Sequence, residues 1–176
     1  VEDLHEHSDY LTFGLHFLPD STGEVFTPFA PSINYKGNLA LWGKRFIKAL
    51  ESGLFLFAAH PDVFMNSYAS FDAEAQAISR DIISAAIDLQ IPLEINCNGI
   101  GKAEDELGLP RWNYPSQEFW RLASEMGASA VINSDAHRTE NLTKHYQDAF
   151  DFAHRLGVKL VEPVLEDGRI RIPVHS

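Results

Sequence analysis

The residues in this sequence that are best suited to chemistry lie at the end of a short apolar run. Ala130, Val131 and Ile132 have the pattern of a strand that is buried on both faces of a parallel sheet. Asp135 and His137 follow two positions apart, so on an extended backbone both side chains leave the same face. An oxygen donor and a nitrogen donor at the end of a barrel-type strand predict a metal site. A helix N-cap beside a solvent-exposed histidine is the alternative interpretation.

Further nitrogen and oxygen donors stand at or near the ends of other predicted strands. These donors are His16, His60, Glu94 and Asn96. Active sites of β/α folds are built at the C-terminal ends of the strands, so we expect these side chains to converge with Asp135 and His137. Scattered, unrelated histidines are the alternative, but donors from four separate strands favour a metal site.

Alternating strands and helices would position these donors. Apolar runs predict strands over 9–15, 54–59, 91–96, 130–132 and 158–161. Apolar periodicity and capping residues predict helices from Asn38 to Gly53, from Asp72 to Leu89, from Ser116 to Gly127 and from Thr139 to Gly157. Residues 19–37 and 98–115 are predicted loops, and residues 169–174 a short hairpin or tail. This alternation predicts an α/β fold with a parallel sheet, in a single domain over residues 1–176.

Composition and charge limit the partners. The chain has 14 Lys and Arg against 25 Asp and Glu, a net charge of −11, which argues against a general nucleic-acid binder. No apolar run approaches the ~20 residues of a membrane span, so we expect no membrane partner. A single cysteine, Cys97, excludes an intramolecular disulfide and agrees with a cytoplasmic location. We interpret Cys97 as a small core residue.

As a set, the motifs resemble the polymerase and histidinol phosphatase (PHP) superfamily, in its histidinol-phosphatase branch. The match spans nearly the whole chain in the family's order, and its H-P-D and S-D-A-H pieces are fairly specific in combination. The matching stretches are Asp9-Tyr10, Gly14-Leu15-His16-Phe17, Ala59-His60-Pro61-Asp62, Leu93-Glu94-Ile95-Asn96, Asn98-Gly99, Tyr114-Pro115, Glu118-Phe119-Trp120 and Ser134-Asp135-Ala136-His137.

The resemblance implies a distorted (β/α)7 barrel with up to three metal ions at the C-terminal ends of its strands. It implies that His16, His60, Asp135 and His137 are metal ligands, with Asp135 and His137 at the catalytic centre. Zn²⁺, Mn²⁺ or Fe would suit these ligands and would activate water for attack on a small phosphate ester such as histidinol phosphate. Glu94 and Asn96 would then orient the ligands or contact the substrate.

The chain departs from the family pattern in two places. The stretch Asp3-Leu4-His5-Glu6-His7-Ser8 spells the family's opening D-x-H-x-H-S motif, but it ends only eight residues before His16, where the family has some tens of residues. We interpret this match as coincidental and expect His5 and His7 to be the polar end of a helix. The family's phosphate-binding Arg is also missing after Ile100, where Gly101 stands, and Lys102 or Arg111 are the candidates to replace it.

We therefore expect the C-terminal portion of a PHP-type barrel, without its first β/α units. Such a portion would self-associate through two open sheet edges and, with an incomplete ligand set, would show no appreciable phosphatase activity alone. The expected function is that of a metal-dependent phosphomonoesterase. The alternatives are a catalytically inactive PHP-like module that binds a metal or a partner, and a metal-dependent amidohydrolase on a similar barrel.

Overall fold

A parallel five-stranded sheet is the centre of this α/β protein. The computed structural model describes residues 7–19, 22–29, 37–68, 70–101 and 113–173. Its strands are β1 Thr12–Phe13, β2 Leu18–Pro19, β3 Val25–Phe26, β4 Phe57–Ala58, β5 Leu93–Asn96, β6 Ser129–Asn133, β7 Lys159–Leu160, β8 Val164–Glu166 and β9 Arg169–Arg171. The sheet order is β1-β4-β5-β6-β7, so β1 and β7 are its outer strands. The predicted parallel α/β fold is confirmed.

Five α-helices lie between or after these strands in the described part of the chain. They are α1 Asn38–Leu50, α2 Ala73–Asp88, α3 Cys97–Ile100, α4 Gln117–Met126 and α5 Tyr146–Leu156. Short 3-10 turns cover Val63–Asn66 and Thr139–Asn141. No helix in the described ranges is long and apolar enough to cross a lipid bilayer.

Local capping chemistry sets the helix bounds. The Asp72 side chain accepts hydrogen bonds from Glu74 N and Ala75 N at the start of α2, and these bonds satisfy two of the free N–H groups of the first turn. Ser116 caps α4 in the same way, as predicted. The predicted cap at Asn38 is wrong, because Asn38 is the first helical residue and Gly37 precedes it in a left-handed conformation.

The main core lies between the sheet and helices α1, α2 and α4. Its largest fully buried side chains include Trp42 and Phe46 of α1, Ile82 of α2 and Trp120 of α4. Helices α1 and α2 approach so closely that a Cβ at Gly43 would lie 2.9 Å from Ile78 Cγ2. A second, small cluster joins Phe57 of β4, Val131 of β6 and Val161, which follows β7. Most of the buried apolar side chains in the described residues therefore belong to the first of these two clusters.

Several predicted bounds change. The strand predicted over 54–59 is paired only at Phe57–Ala58, and the predicted loop 19–37 contains part of the β2–β3 hairpin. The helix predicted from Thr139 begins at Tyr146, because His145 takes a left-handed conformation (φ 61°) that interrupts helical geometry. Leu142, predicted on its inward face, is exposed as a result. The hairpin or tail predicted over 169–174 is a hairpin that begins earlier, since β8 (Val164–Glu166) pairs with β9 (Arg169–Arg171).

Candidate functional site

Two histidines meet at one end of the sheet. His16 follows β1 and His60 follows β4, and these two strands are parallel neighbours. The register therefore brings the histidines to the same edge, where the two Nε2 atoms lie 2.9 Å apart. His60 is buried, whereas His16 is exposed. We call these two side chains the imidazole pair.

Gly14 makes room for the imidazole pair. A Cβ at this position would lie 3.1 Å from His60 Cε1, 3.2 Å from His60 Nε2 and 3.5 Å from His16 Cε1. The first two distances are tighter than ordinary van der Waals contact. A larger residue would therefore press on the His60 ring beside the nitrogen atom that approaches His16.

His60 is held rigidly by its backbone. The H-P-D turn gives it a φ of 31°, and its N–H donates a 2.8 Å hydrogen bond to Glu94 Oε2. Burial, and then the neighbouring His16, lower the pKa of His60 to about 4. The ring is thus neutral near pH 7, the form of histidine that binds metals. Its Nδ1 atom is buried without a hydrogen-bond partner.

Glu94 is the centre of a buried polar network beside the imidazole pair. Besides the His60 N–H, its oxygens accept hydrogen bonds from Asn96 Nδ2 at 2.9 Å and from Asn133 Nδ2. Burial raises the pKa of Glu94 to about 7, and the bonds from Asn133, Asn96 and His60 oppose that rise. The β5–β6 register pairs Asn96 with Asn133, so both amides reach the same carboxylate.

Asp135 joins this network from the loop after β6. Its Oδ2 atom accepts hydrogen bonds of 3.2 Å from Asn96 Nδ2 and from Asn98 Nδ2. The Asn96 amide therefore contacts both carboxylates, while its Oδ1 accepts from Gly99 N and caps the single turn of α3. We call Glu94, Asn96, Asn98, Asn133 and Asp135 the amide–carboxylate cluster. The charge of Asp135 acts to raise the pKa of His60, against the larger effects of burial and of His16.

The four predicted ligands are therefore only partly assembled. His16 and His60 are in contact, and Asp135 is linked to His60 through Asn96 and Glu94. His137 is exposed, and its Nδ1 lies 3.0 Å from the backbone oxygen of Asp135. Within the described residues, no group of three or more His, Cys, Asp or Glu side chains is arranged to hold a metal ion.

The remaining predicted residues are exposed, buried in the core or outside the described ranges. Lys102, Arg111 and His5 are outside the described residues, and His7 is exposed. Cys97 is buried and free, which confirms its prediction as a core residue.

Sequence reasoning missed the roles of three residues. Asn98 and Asn133 belong to the amide–carboxylate cluster, and Asp62 Oδ2 accepts a 2.6 Å hydrogen bond from Ser116 N. Burial raises the pKa of Asp62 to about 7. This bond fixes the H-P-D turn to the start of α4. Asn133 could have been found, because it ends β6 as Asn96 ends β5.

Comparisons with known proteins support the fold. No family model matches the chain, and no curated protein matches it in sequence. One solved structure, described as the "putative histidinol phosphatase hisK from Listeria monocytogenes", matches with a TM-score of 0.59 and 18% sequence identity. The fold of this chain is similar to that protein's fold. The match covers 84% of this chain and 60% of that protein, so the chain spans about three fifths of its length.

Proposed function

We propose that this chain carries part of the site of a metal-dependent phosphomonoesterase, as the PHP resemblance implies. The observation that carries the proposal is the 2.9 Å approach of His16 Nε2 and His60 Nε2 from neighbouring parallel strands. Gly14 leaves the space for that approach. Active sites of β/α folds lie at this end of the strands. The similar fold of the Listeria protein adds support, since that protein is described as a putative histidinol phosphatase.

The chemistry of the donors fits a divalent ion. At 2.9 Å one ring nitrogen must present a proton to the other, and a cation can take the place of that proton. His60 is neutral near pH 7, and the Glu94 bond to its backbone fixes its position. His16, His60, Asp135 and His137 would hold Zn²⁺, Mn²⁺ or Fe, for which mixed imidazole and carboxylate ligands are suitable.

In this proposal the metal ions and the surrounding side chains have different roles. Bound ions would supply Lewis acidity toward the phosphoryl oxygens and lower the pKa of water. Asn96 and Asn98 hold the Asp135 carboxylate through two hydrogen bonds, and Glu94 holds the turn that presents His60. Groups that orient metal ligands in this way typically change metal affinity by about 10–100-fold when they are replaced.

We further propose that the sheet is part of a PHP-type barrel. Strands β1 and β7 are the outer strands among the described residues, and the chain spans 60% of the Listeria protein's length. In a barrel both edges would be paired by other strands, whereas open edges favour self-association.

A catalytically inactive PHP-like module is the second candidate. It is favoured by the absence, within the described residues, of any group of three or more metal-binding side chains. The position of His137, whose Nδ1 faces a backbone oxygen, also favours it.

Hydrolysis of p-nitrophenyl phosphate by the full-length protein, supplied with Mn²⁺ or Zn²⁺, separates the two candidates. We expect metal-dependent hydrolysis that His137→Ala abolishes without loss of folding, because His137 is exposed. His5→Ala is the matched control and should change the activity little. No hydrolysis with any of the metals would support the inactive module. Equal inactivation by both substitutions would show that His5 belongs to the site and that its interpretation as a coincidental match is wrong.

A further inference from the structure

A polar cavity lies beside Asp135, on the side of α3 and the start of α5. Its volume is about 230 Å³. Hydrogen-bonding or cationic side chains form much of its wall. The wall residues that matter here are Asn98, Gly101, Ser134, Asn141, Lys144 and His145. None of the described residues that line this cavity is acidic, although the chain as a whole has a net charge of −11.

Lys144 gives the cavity its positive charge. Among the described residues Lys144 forms no ion pair, so its ammonium group is available to a ligand. His145 is different, because its Nδ1 lies 2.9 Å from Asp148 Oδ2. With Nδ1 engaged by that carboxylate and the Nε2 edge of the ring packed against Gly101, His145 forms part of the cavity wall.

Close packing fixes the shape of the cavity wall. A Cβ at Gly101 would lie 2.7 Å from both Cδ2 and Nε2 of His145, so the ring rests directly on this glycine. Asn98 also lines the cavity and donates to Asp135 Oδ2. The Asn98 side chain therefore links the cavity to Asp135, one of the candidate metal ligands.

We propose that this cavity binds an oxyanion group of the substrate and that Lys144 is the residue that selects for it. The inference rests on the proposed phosphomonoesterase function. The Lys144 ammonium, the Ser134 hydroxyl and the Asn141 amide can donate hydrogen bonds where no carboxylate lines the cavity, which is what phosphate and carboxylate groups require. The same surface disfavours a phosphate ester whose alcohol part carries an ammonium group. The preferred substrate class is thus an anionic phosphate ester rather than an amino-alcohol phosphate.

Binding of inorganic phosphate tests the cavity without any turnover. The full-length protein, kept in EDTA, is titrated with phosphate while its ¹H–¹⁵N NMR spectrum is recorded. We expect saturable shifts at the amides of Gly101, Ser134 and Lys144. Lys144→Ala should weaken binding about tenfold, since a hydrogen bond to a charged group contributes on the order of a tenfold change or more. Lys144→Arg should retain most of the affinity.

Lys44→Ala is the matched control, because Lys44 is also an exposed lysine and does not line the cavity. It should bind phosphate as the unaltered protein does. Absent shifts, or equal affinities of the Lys144→Ala and Lys44→Ala variants, would overturn the assignment. Shifts that are unsaturable and spread over the surface would mean an adventitious ion only, which also overturns it.

Two phosphate esters then identify which oxyanion occupies the cavity. Phosphoglycolate carries a carboxylate that ethyl phosphate lacks. A loss of kcat/KM in Lys144→Ala for phosphoglycolate alone would place the carboxylate there, and an equal loss for both would place the phosphoryl group there. No loss for either would overturn the proposal. Phosphate binding without hydrolysis of either ester would overturn the phosphomonoesterase function and leave an anion site. Hydrolysis without phosphate binding in the cavity would overturn the cavity assignment alone.

Discussion

The imidazole pair and the amide–carboxylate cluster adjoin each other but differ in how their polar atoms are satisfied. Both oxygens of Glu94 accept hydrogen bonds, and one Asn96 amide serves both carboxylates. In the imidazole pair, His60 Nδ1 is buried with no partner and the two Nε2 atoms face each other. A satisfied buried network gives rigidity. In the imidazole pair, one nitrogen has no partner and the two Nε2 atoms are partners of each other, an arrangement that a metal ion can replace. From this difference we propose that the amide–carboxylate cluster positions the imidazole pair and that the imidazole pair binds the metal ion.

Glu94→Ala should have the largest effect on this arrangement. It leaves the His60 N–H and two asparagine amides without their acceptor in a buried site. An unsatisfied buried donor costs about 1–3 kcal/mol, so we expect the free energy of unfolding to fall by roughly 3–5 kcal/mol. Urea-induced unfolding, followed by circular dichroism, measures this change.

Glu94→Gln is the matched control, because it keeps the shape and one acceptor oxygen. It should lose clearly less stability than Glu94→Ala. If both variants unfold at the urea concentration of the unaltered protein, the cluster is not what holds His60 in place.

Gly14→Ala should affect the pair and spare the fold. The new Cβ would lie 3.1–3.2 Å from His60 ring atoms, so the His60 ring must shift by a few tenths of an ångström. We expect metal affinity to fall about 10–100-fold, the range seen when the positioning of metal ligands is disturbed. A competition titration with a chromophoric chelator measures it. Gly43→Ala crowds Ile78 in the α1–α2 interface instead and should leave metal affinity unchanged. An equal effect of both substitutions would mean that Gly14 has no special relation to the site.

The smallest expected effect concerns the reactivity of the Cys97 thiol. This residue lies next to Asn96 but belongs to the core, and burial raises the pKa of its thiol to about 12. The thiolate is the reactive form, so at pH 8 the native thiol stays protonated and should react with Ellman's reagent only on unfolding. Rapid reaction of the native protein at pH 8 would show that the core beneath the amide–carboxylate cluster opens to solvent.

Helix starts were predictable from the sequence where the side chain of a single residue caps the helix. Asp72 and Ser116 cap helices because their own side chains reach the first N–H groups, and this can be read without tertiary information. The parallel sheet was predictable from the alternation of apolar runs with amphipathic helices. The left-handed His145, which shortens the last helix, gave no comparable local signal.

The contacts within the site depend on register, which the sequence alone does not determine. Asn133 reaches Glu94 because β5 and β6 pair Asn96 with Asn133, and Asn98 reaches Asp135 because α3 turns immediately after β5. The pairing of His16 with His60 was expected from the strand ends. Their mutual contact, made possible by Gly14, required the three-dimensional structure.

Binding of Co²⁺ tests most directly whether the imidazole pair is a metal site, since ligand-field absorption reports the donors that surround this ion. The full-length protein should bind at least about one Co²⁺ per chain, with visible absorption. His16→Ala should lose this absorption and keep its stability, because His16 is exposed, whereas His7→Ala, which removes another exposed histidine, should keep both. Identical Co²⁺ spectra and affinities for the unaltered protein, His16→Ala and His7→Ala would contradict the assignment of His16 and His60 as metal ligands.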